Sequence, residues 1–394
     1  GPVRQGQVPT PRPPVGLTMW AGVSPHPPEP PHTTSLSQER SNERRPSVSS
    51  QNVLSVGPIL TDRPTRYKCK ACRNSPKNGL EHSVLCQVHL TDKMVAPSLL
   101  KTWLKASRPA SQLYICVPLI VGQLYAQSAG YALSPWIVFW VQLFGVSIQL
   151  YIVYANDYAD FATDQINRTY TLYSGGSRVL VDGEIRHTSL GRAAVMAALV
   201  SIGTGLALGV LWGRWFSLVL VLAALALLHL YSYWPARLNY RGGGEILQMI
   251  GTGIVLPLFG WYAQTGTLVG FPIWPVVSIL PSMLACAVST SLPDEISDRE
   301  SQKRSAAVLL GQRPAQTMVI VLHTVSVLLL LWMSEMGRQA MFAILILFAL
   351  SAILGQLLLF GGRPGQSRLF WFGIYSIAST LVITLASAAG RPPV

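Results

Sequence analysis

Charge is scarce in this chain. Only 12 % of its 394 residues are Asp, Glu, Lys or Arg, while 50 % are hydrophobic and the mean hydropathy is positive. A soluble domain carries about twice that charge fraction, so a single water-soluble globule is excluded. Cysteine is also scarce, with five residues in all, and their positions suggest no disulfide framework. No basic n-region with a short apolar run and cleavage site opens the sequence. This predicts no signal peptide and leaves insertion to the first membrane helix.

The apolar residues that dominate instead are bunched into long blocks. Nine of these are long enough to cross a bilayer, at roughly 110–132, 135–156, 189–212, 215–234, 246–265, 272–292, 315–334, 340–361 and 369–389. The fold class expected is an all-α membrane protein: a nine-helix bundle over residues 96–394 behind an amino-terminal extension. Residues 1–65 are rich in Pro, Ser and Arg, a composition that cannot bury enough apolar surface to offset ordering entropy, and are expected to be disordered. Residues 66–95 carry Cys69, Cys72, Cys86 and His89, spaced C-x2-C-x13-C-x2-H, which fits a small tetrahedral Zn2+ module.

The formal net charge is +13. Membrane topology accounts for most of it, and the basic extension has few interleaved aromatics, so no nucleic-acid partner is expected. Beyond residue 95, fifteen Lys and Arg fall on one side of the predicted helices, against Arg214, Arg338 and Arg391 on the other. Positive charge collects on the cytoplasmic side, which places the amino terminus in the cytoplasm.

The acids follow the same split. NDYADFATD (Asn156–Asp164) closes the second apolar run and DEISDRE (Asp294–Glu300) closes the sixth, hinting at a repeat of four helices. Asn156, Asp160 and Asp164 are spaced i, i+4, i+8, as are Asp294 and Asp298 at i, i+4. If the second helix continues past its apolar run, the first three share one face. Two carboxylate faces brought together repel, and oxygen donors at this density suit Mg2+, which completes its shell with water and substrate phosphate. Arg168, Arg178, Lys303 and Arg304 lie in the same loops and suit phosphate oxygens. Acids for metal and bases for diphosphate, above an apolar bundle, point to a diphosphate head with a hydrocarbon tail. Tyr231, Tyr233 and Trp234 are candidates to shield an allylic cation. A cation-coupled transporter is the rival from another class, but pathway acids should lie near the bilayer midplane.

At these residues the chain resembles the UbiA superfamily of intramembrane prenyltransferases. NDYADFATD matches that family's N-D-x-x-D-x-x-x-D motif and DEISD its D-x-x-x-D motif, within a similarity spanning about residues 100–390. The resemblance implies that Asn156, Asp160, Asp164, Asp294 and Asp298 bind Mg2+ and a prenyl diphosphate, and that Lys303 touches the diphosphate. It adds Asp157 to the metal set, although that residue lies about 100° round the helix from the main stripe. LKASRP (Leu104–Pro109), SGGSRVLVDGEI (Ser174–Ile185) and PARLNYRGGGE (Pro235–Glu245) are similar to the branch acting on 1,4-dihydroxy-2-naphthoate in menaquinone synthesis, with Arg178 in a basic position of its loop. The D-x3-D spacing is nearer the 4-hydroxybenzoate branch of ubiquinone synthesis. The expected activity is Mg2+-dependent transfer of a polyprenyl group to an aromatic quinone precursor, in a bacterial inner membrane with a cytoplasmic active site. A non-aromatic acceptor or terpene cyclisation on the same fold is the alternative.

Overall fold

The structure is a computed structural model that describes residues 98–333 and 340–389. The predicted disordered tail and the predicted zinc residues Cys69, Cys72, Cys86 and His89 lie outside the described residues. Among the described residues every regular element is helical and there are no strands.

A short amphipathic helix, α1 (Leu99–Ser107), comes first. It buries Thr102 and Ala106 while Leu99, Leu100 and Leu104 stay exposed. Then follow α2 (Gln112–Ser128), α3 (Pro135–Ala159), the short α4 (Phe161–Ile166), α5 (His187–Trp212) and α6 (Phe216–Ser232). The four-residue α7 (Leu238–Arg241) leads to α8 (Gly244–Ile250) and α9 (Leu256–Thr265), which form one apolar rod. After these come α10 (Ile273–Ser291), α11 (Glu295–Glu300), α12 (Ala306–Leu310), α13 (Gln312–Met333), α14 (Ala340–Leu358) and α15 (Ser367–Ala389).

All nine predicted spans are helical, and among the described residues seven of the helices are long and apolar enough to cross a membrane. The two short ones, α2 and α6, have 17 residues each. At 1.5 Å per residue that is about 25 Å, the lower end of the length that spans a bilayer. Pro109 opens a 3-10 turn that leads into α2, and the helix ends at Ser128, four residues short of the predicted span, just before Gly130 turns left-handed (φ 86). With seven full-length apolar helices, the protein is an integral multi-pass membrane protein.

Helix α3 packs along α5, α2 along α9, and α10 lies between α13 and α15. Gly122 and Gly260 let α2 and α9 touch backbone to backbone, since a Cβ on either would overlap a carbonyl of the other helix, Pro257 or Leu119. Small residues at such crossings are how helices associate where lipid offers no hydrophobic drive. Between α8 and α9, residues Gly251–Val255 form a π turn. Pro257 follows it and has no amide to give to the helical ladder, so the turn is wound more loosely just before it.

The apolar runs carrying the two acidic motifs end alike. Helix α3 breaks at Asp160 (φ −95, ψ 8) and resumes as the six-residue α4; α10 passes through a 3-10 turn to Asp294 (φ −90, ψ 0) and resumes as the six-residue α11. The second helix does not continue unbroken past its apolar run. Its register survives, because the Asp160 amide donates to Asn156 O (2.8 Å) and the Asp164 amide to Asp160 O (2.9 Å). The hinted repeat thus has a local structural counterpart: Asp160 and Asp294 occupy the same backbone bend, and Asp164 and Asp298 the same place on the short helix beyond it.

Candidate active site

Both motifs line one cavity of about 480 Å³. Asn156, Asp160 and Asp164 come from the α3–α4 break, and Asp294 and Asp298 from the α10–α11 break. Lys303 joins them. Its ammonium donates to Asp160 Oδ2 at 2.9 Å and stands 3.8 Å from Asp298 Oδ1, so one cation bridges the two motifs. Burial works to lower the Lys303 pKa, but Asp160 and Asp298 more than offset it and hold the ammonium above its ordinary value. Asn156 Nδ2 donates to Asp160 Oδ2 (3.1 Å) and the Tyr240 hydroxyl to Asp160 Oδ1 (3.3 Å). Asn167 Nδ2 donates to Asp294 Oδ1 (2.8 Å).

Asp164 shows what the site lacks. Burial first, then the charges of Asp157 and Asp160, push its carboxyl up to about 7, against the opposing pull of Arg108 and Lys303. Lys303 alone leaves that crowding of carboxylates uncompensated. Their all-oxygen chemistry suits a hard divalent cation. Among the described residues no three His, Cys, Asp or Glu are grouped closely enough to cage a metal by themselves.

The structure separates the other predicted residues. Asp157 is spent on structure: its carboxylate pairs with Arg108 and accepts from the amide (3.0 Å) and the hydroxyl of Ser177. Its 100° offset from the stripe turns it toward the loop instead of the metal set. Arg178, in a left-handed conformation (φ 69), donates to the backbone carbonyls of Asp164 (2.6 Å) and Asn167 (3.1 Å) and covers the Tyr170 ring. It braces the motif and does not line the cavity. Arg168 and Arg304 are exposed and also lie off the lining. Of the three aromatics, Tyr231 lines the cavity; Tyr233 donates its hydroxyl to Ala155 O (2.9 Å), and Trp234 is 79 % exposed.

Away from the acids the wall turns apolar, with Ile115, Ile148, Ile152, Leu227, Leu256 and Ile377. The loop Ser174–Gly176 closes the polar end. Gly176 sits at φ 75 against Asp164, where a Cβ would overlap the carboxylate. The same loop is tied to α1 by Lys105, whose ammonium reaches Asp182 (2.8 Å) and Glu184 (2.7 Å).

Residues 115–379 match the UbiA prenyltransferase family. The chain belongs to that family. It is therefore a prenyltransferase, an enzyme and not a transporter. Curated relatives include the 1,4-dihydroxy-2-naphthoate octaprenyltransferase of Bacillus subtilis, 25 % identical over 54 % of this chain and 67 % of the relative. The protein of the same description from Escherichia coli is 27 % identical over 54 % and 69 %. Among solved structures, a UbiA homolog from Aeropyrum pernix aligns with a TM-score of 0.55 at 18 % identity, over 70 % of this chain and 98 % of that one. A UbiA homolog from Archaeoglobus fulgidus, bound to GPP and Mg2+, aligns with a TM-score of 0.52 at 17 % identity, over 73 % and 99 %. At such identities these two share the fold with the present UbiA prenyltransferase.

Four contributors to this UbiA site were not anticipated from the sequence. Arg108, Asn167 and Glu245 line the cavity, and Tyr240 reaches Asp160 from α7, its ring 3.6 Å beneath the Arg237 guanidinium. Only PARLNYRGGGE and LKASRP, the stretches shared with the family, carried a signal for any of them.

Proposed function

We propose that this UbiA prenyltransferase moves a polyprenyl group from a prenyl diphosphate to an aromatic quinone precursor of the 1,4-dihydroxy-2-naphthoate type, with Mg2+ as cofactor. The observation carrying this reading is a single cavity with two carboxylate motifs at one end and an apolar wall at the other. The activity of the curated relatives supports the acceptor, and the GPP and Mg2+ of the A. fulgidus homolog support the donor and metal.

Asp160, Asp164, Asp294 and Asp298 would hold Mg2+, with Asn156 orienting Asp160. Bound there, Mg2+ neutralises the charge that develops on the departing diphosphate. Lys303 supplies the fixed positive charge between the motifs for phosphate oxygens. The C1–O bond of the donor breaks with both electrons going to diphosphate, and the resulting allylic cation is met by the ring. Attack at the carboxylated carbon forms the new C–C bond, and loss of CO2 returns the electron pair to the ring and restores aromaticity. Tyr231 faces the cation from the cavity wall, and the apolar lining keeps water from the cation. The excess of Lys and Arg on the cavity's side of the bundle orients it to the cytoplasm, and the bacterial relatives support a bacterial inner membrane.

Mass spectrometry of products from membranes holding the full chain tests this. Given prenyl diphosphates with dihydroxynaphthoate, the expected product is a prenylated naphthalenediol that has lost CO2. Product from 4-hydroxybenzoate alone would move the assignment to the other branch, the one favoured by the D-x3-D spacing. Intact diphosphate with every aromatic acceptor would overturn it.

Two predictions attach to Asp164. With its pKa raised to about 7, the carboxyl is neutral below that pH and ionised above it, so protons compete with metal. At low Mg2+ the activity is expected to fall as pH drops through 7, and raising Mg2+ should move that limb to lower pH. An acid limb indifferent to Mg2+ would count against the ligand role. Gly176→Ala, which forces the Asp164 carboxylate aside, is expected to lower turnover about a hundredfold, as small misplacements of reacting groups do.

A further inference from the structure

We propose that Glu245 is a further catalytic residue, the base that takes the proton of the acceptor's ring hydroxyl as the new C–C bond forms. The proposal deepens the prenyl-transfer reading and rests on it.

Of the acids lining the cavity, Asp160, Asp164, Asp294 and Asp298 belong to the two motifs and Glu245 does not. It stands in the first turn of α8, beyond a stretch that both motif loops hold in place. Tyr240 reaches Asp160 from that stretch, and the Arg304 amide donates to Asn239 O (3.3 Å). One oxygen of Glu245, Oε1, accepts from the Ala306 amide at 2.6 Å. Among the described residues Oε2 has no hydrogen-bond donor and the carboxylate has no ion pair. Lys303, three residues before Ala306, is already taken by Asp160 and Asp298. A half-buried charge at the cavity wall thus keeps an open acceptor oxygen, which calls for a donor.

The chemistry selects that donor. A carboxylate only accepts, and it repels phosphate oxygens. Of the two organic substrates only the aromatic acceptor brings a donor, its ring O–H. Position agrees. Gly244, next to Glu245, packs on Tyr231, where a Cβ would stand 2.9 Å from the ring. Glu245 therefore enters the cavity beside the aromatic that faces the allylic cation. As the carboxylated carbon attacks that cation, the neighbouring C–OH becomes C=O and its proton passes to Glu245. Loss of CO2 sends the electron pair back to that oxygen, which recovers the proton, and Glu245 ends as the carboxylate it began.

The test is turnover of the full chain in lipid nanodiscs at saturating Mg2+, read anaerobically by product mass spectrometry. The assay runs from about pH 7.5 to about pH 10, a range over which a phenolic hydroxyl begins to ionise by itself. Glu245→Gln keeps a carbonyl oxygen for the Ala306 amide but loses the base. It is expected to be about a hundredfold slower than wild type at the low end and within about fivefold at the high end, where the acceptor arrives ionised. Glu245→Asp keeps a carboxylate and should follow the wild-type pH profile. An equal deficit of Glu245→Gln at every pH, as from a purely structural contact, would overturn the assignment. So would a shifted Mg2+ midpoint in that variant, which would make Glu245 a metal ligand. A wild type that forms no product would tell against the transfer reading itself, and the base would fall with it.

Discussion

Asp160→Asn is expected to lower prenyl transfer about a thousandfold, several kilocalories of transition-state charge stabilisation, and to flatten the response to Mg2+. Asp160 is where the site's contacts converge: Lys303 and Asn156 meet one oxygen and Tyr240 the other. The amide keeps the size of the side chain but removes the negative charge from the α3–α4 break. A Mg2+ titration of turnover reads the effect directly, and an unchanged midpoint would count against Asp160 as a ligand. Asp157→Asn is the control within the same motif. Its carboxylate serves the buried pair with Arg108 and the Ser177 contacts. Breaking such a pair is expected to cost about 3 kcal/mol or more of stability, read as a lower melting temperature, while the folded protein keeps a turnover that depends on Mg2+.

Lys303→Met is the second large effect. The ammonium is buried between Asp160 and Asp298, and its removal leaves both carboxylates without a counter-ion. The metal-free protein is expected to lose about 3–5 kcal/mol of stability, the usual consequence of orphaning a buried charge. Here the loss should be conditional. Saturating Mg2+ binds the folded state, neutralises the same carboxylates and restores much of the melting temperature by mass action. Turnover should stay low, because the fixed positive charge for the diphosphate is gone. A variant whose stability ignores Mg2+ would mean that Lys303 and the metal answer to different acids.

The two acidic motifs were readable because carboxylates beside long apolar runs are rare and their i, i+4 spacing fixes a common direction. Lys303 was readable for its closeness to the second motif. The same closeness misled for Arg168, Arg178 and Arg304, since sequence distance in a loop does not set where a side chain points. Arg178 takes a left-handed backbone and spends its guanidinium on carbonyls. The contacts of Asn167 and Tyr240 were hidden for the opposite reason: each meets its aspartate across a long separation, 127 residues to Asp294 and 80 to Asp160, and only Tyr240 lies in a stretch shared with the family. The helix positions followed from hydropathy, but their lengths did not, because α2 stops at Ser128 before the left-handed Gly130 and not where the apolar run ends.

The matched bends at Asp160 and Asp294 put half of the carboxylate set on the end of one rod and half on another. On the proposed reading neither rod would take hold of a pyrophosphate alone, so a slight rocking of one against the other would loosen every contact at once. Turnover should then respond to bilayer thickness and lateral pressure, with no residue of the site altered.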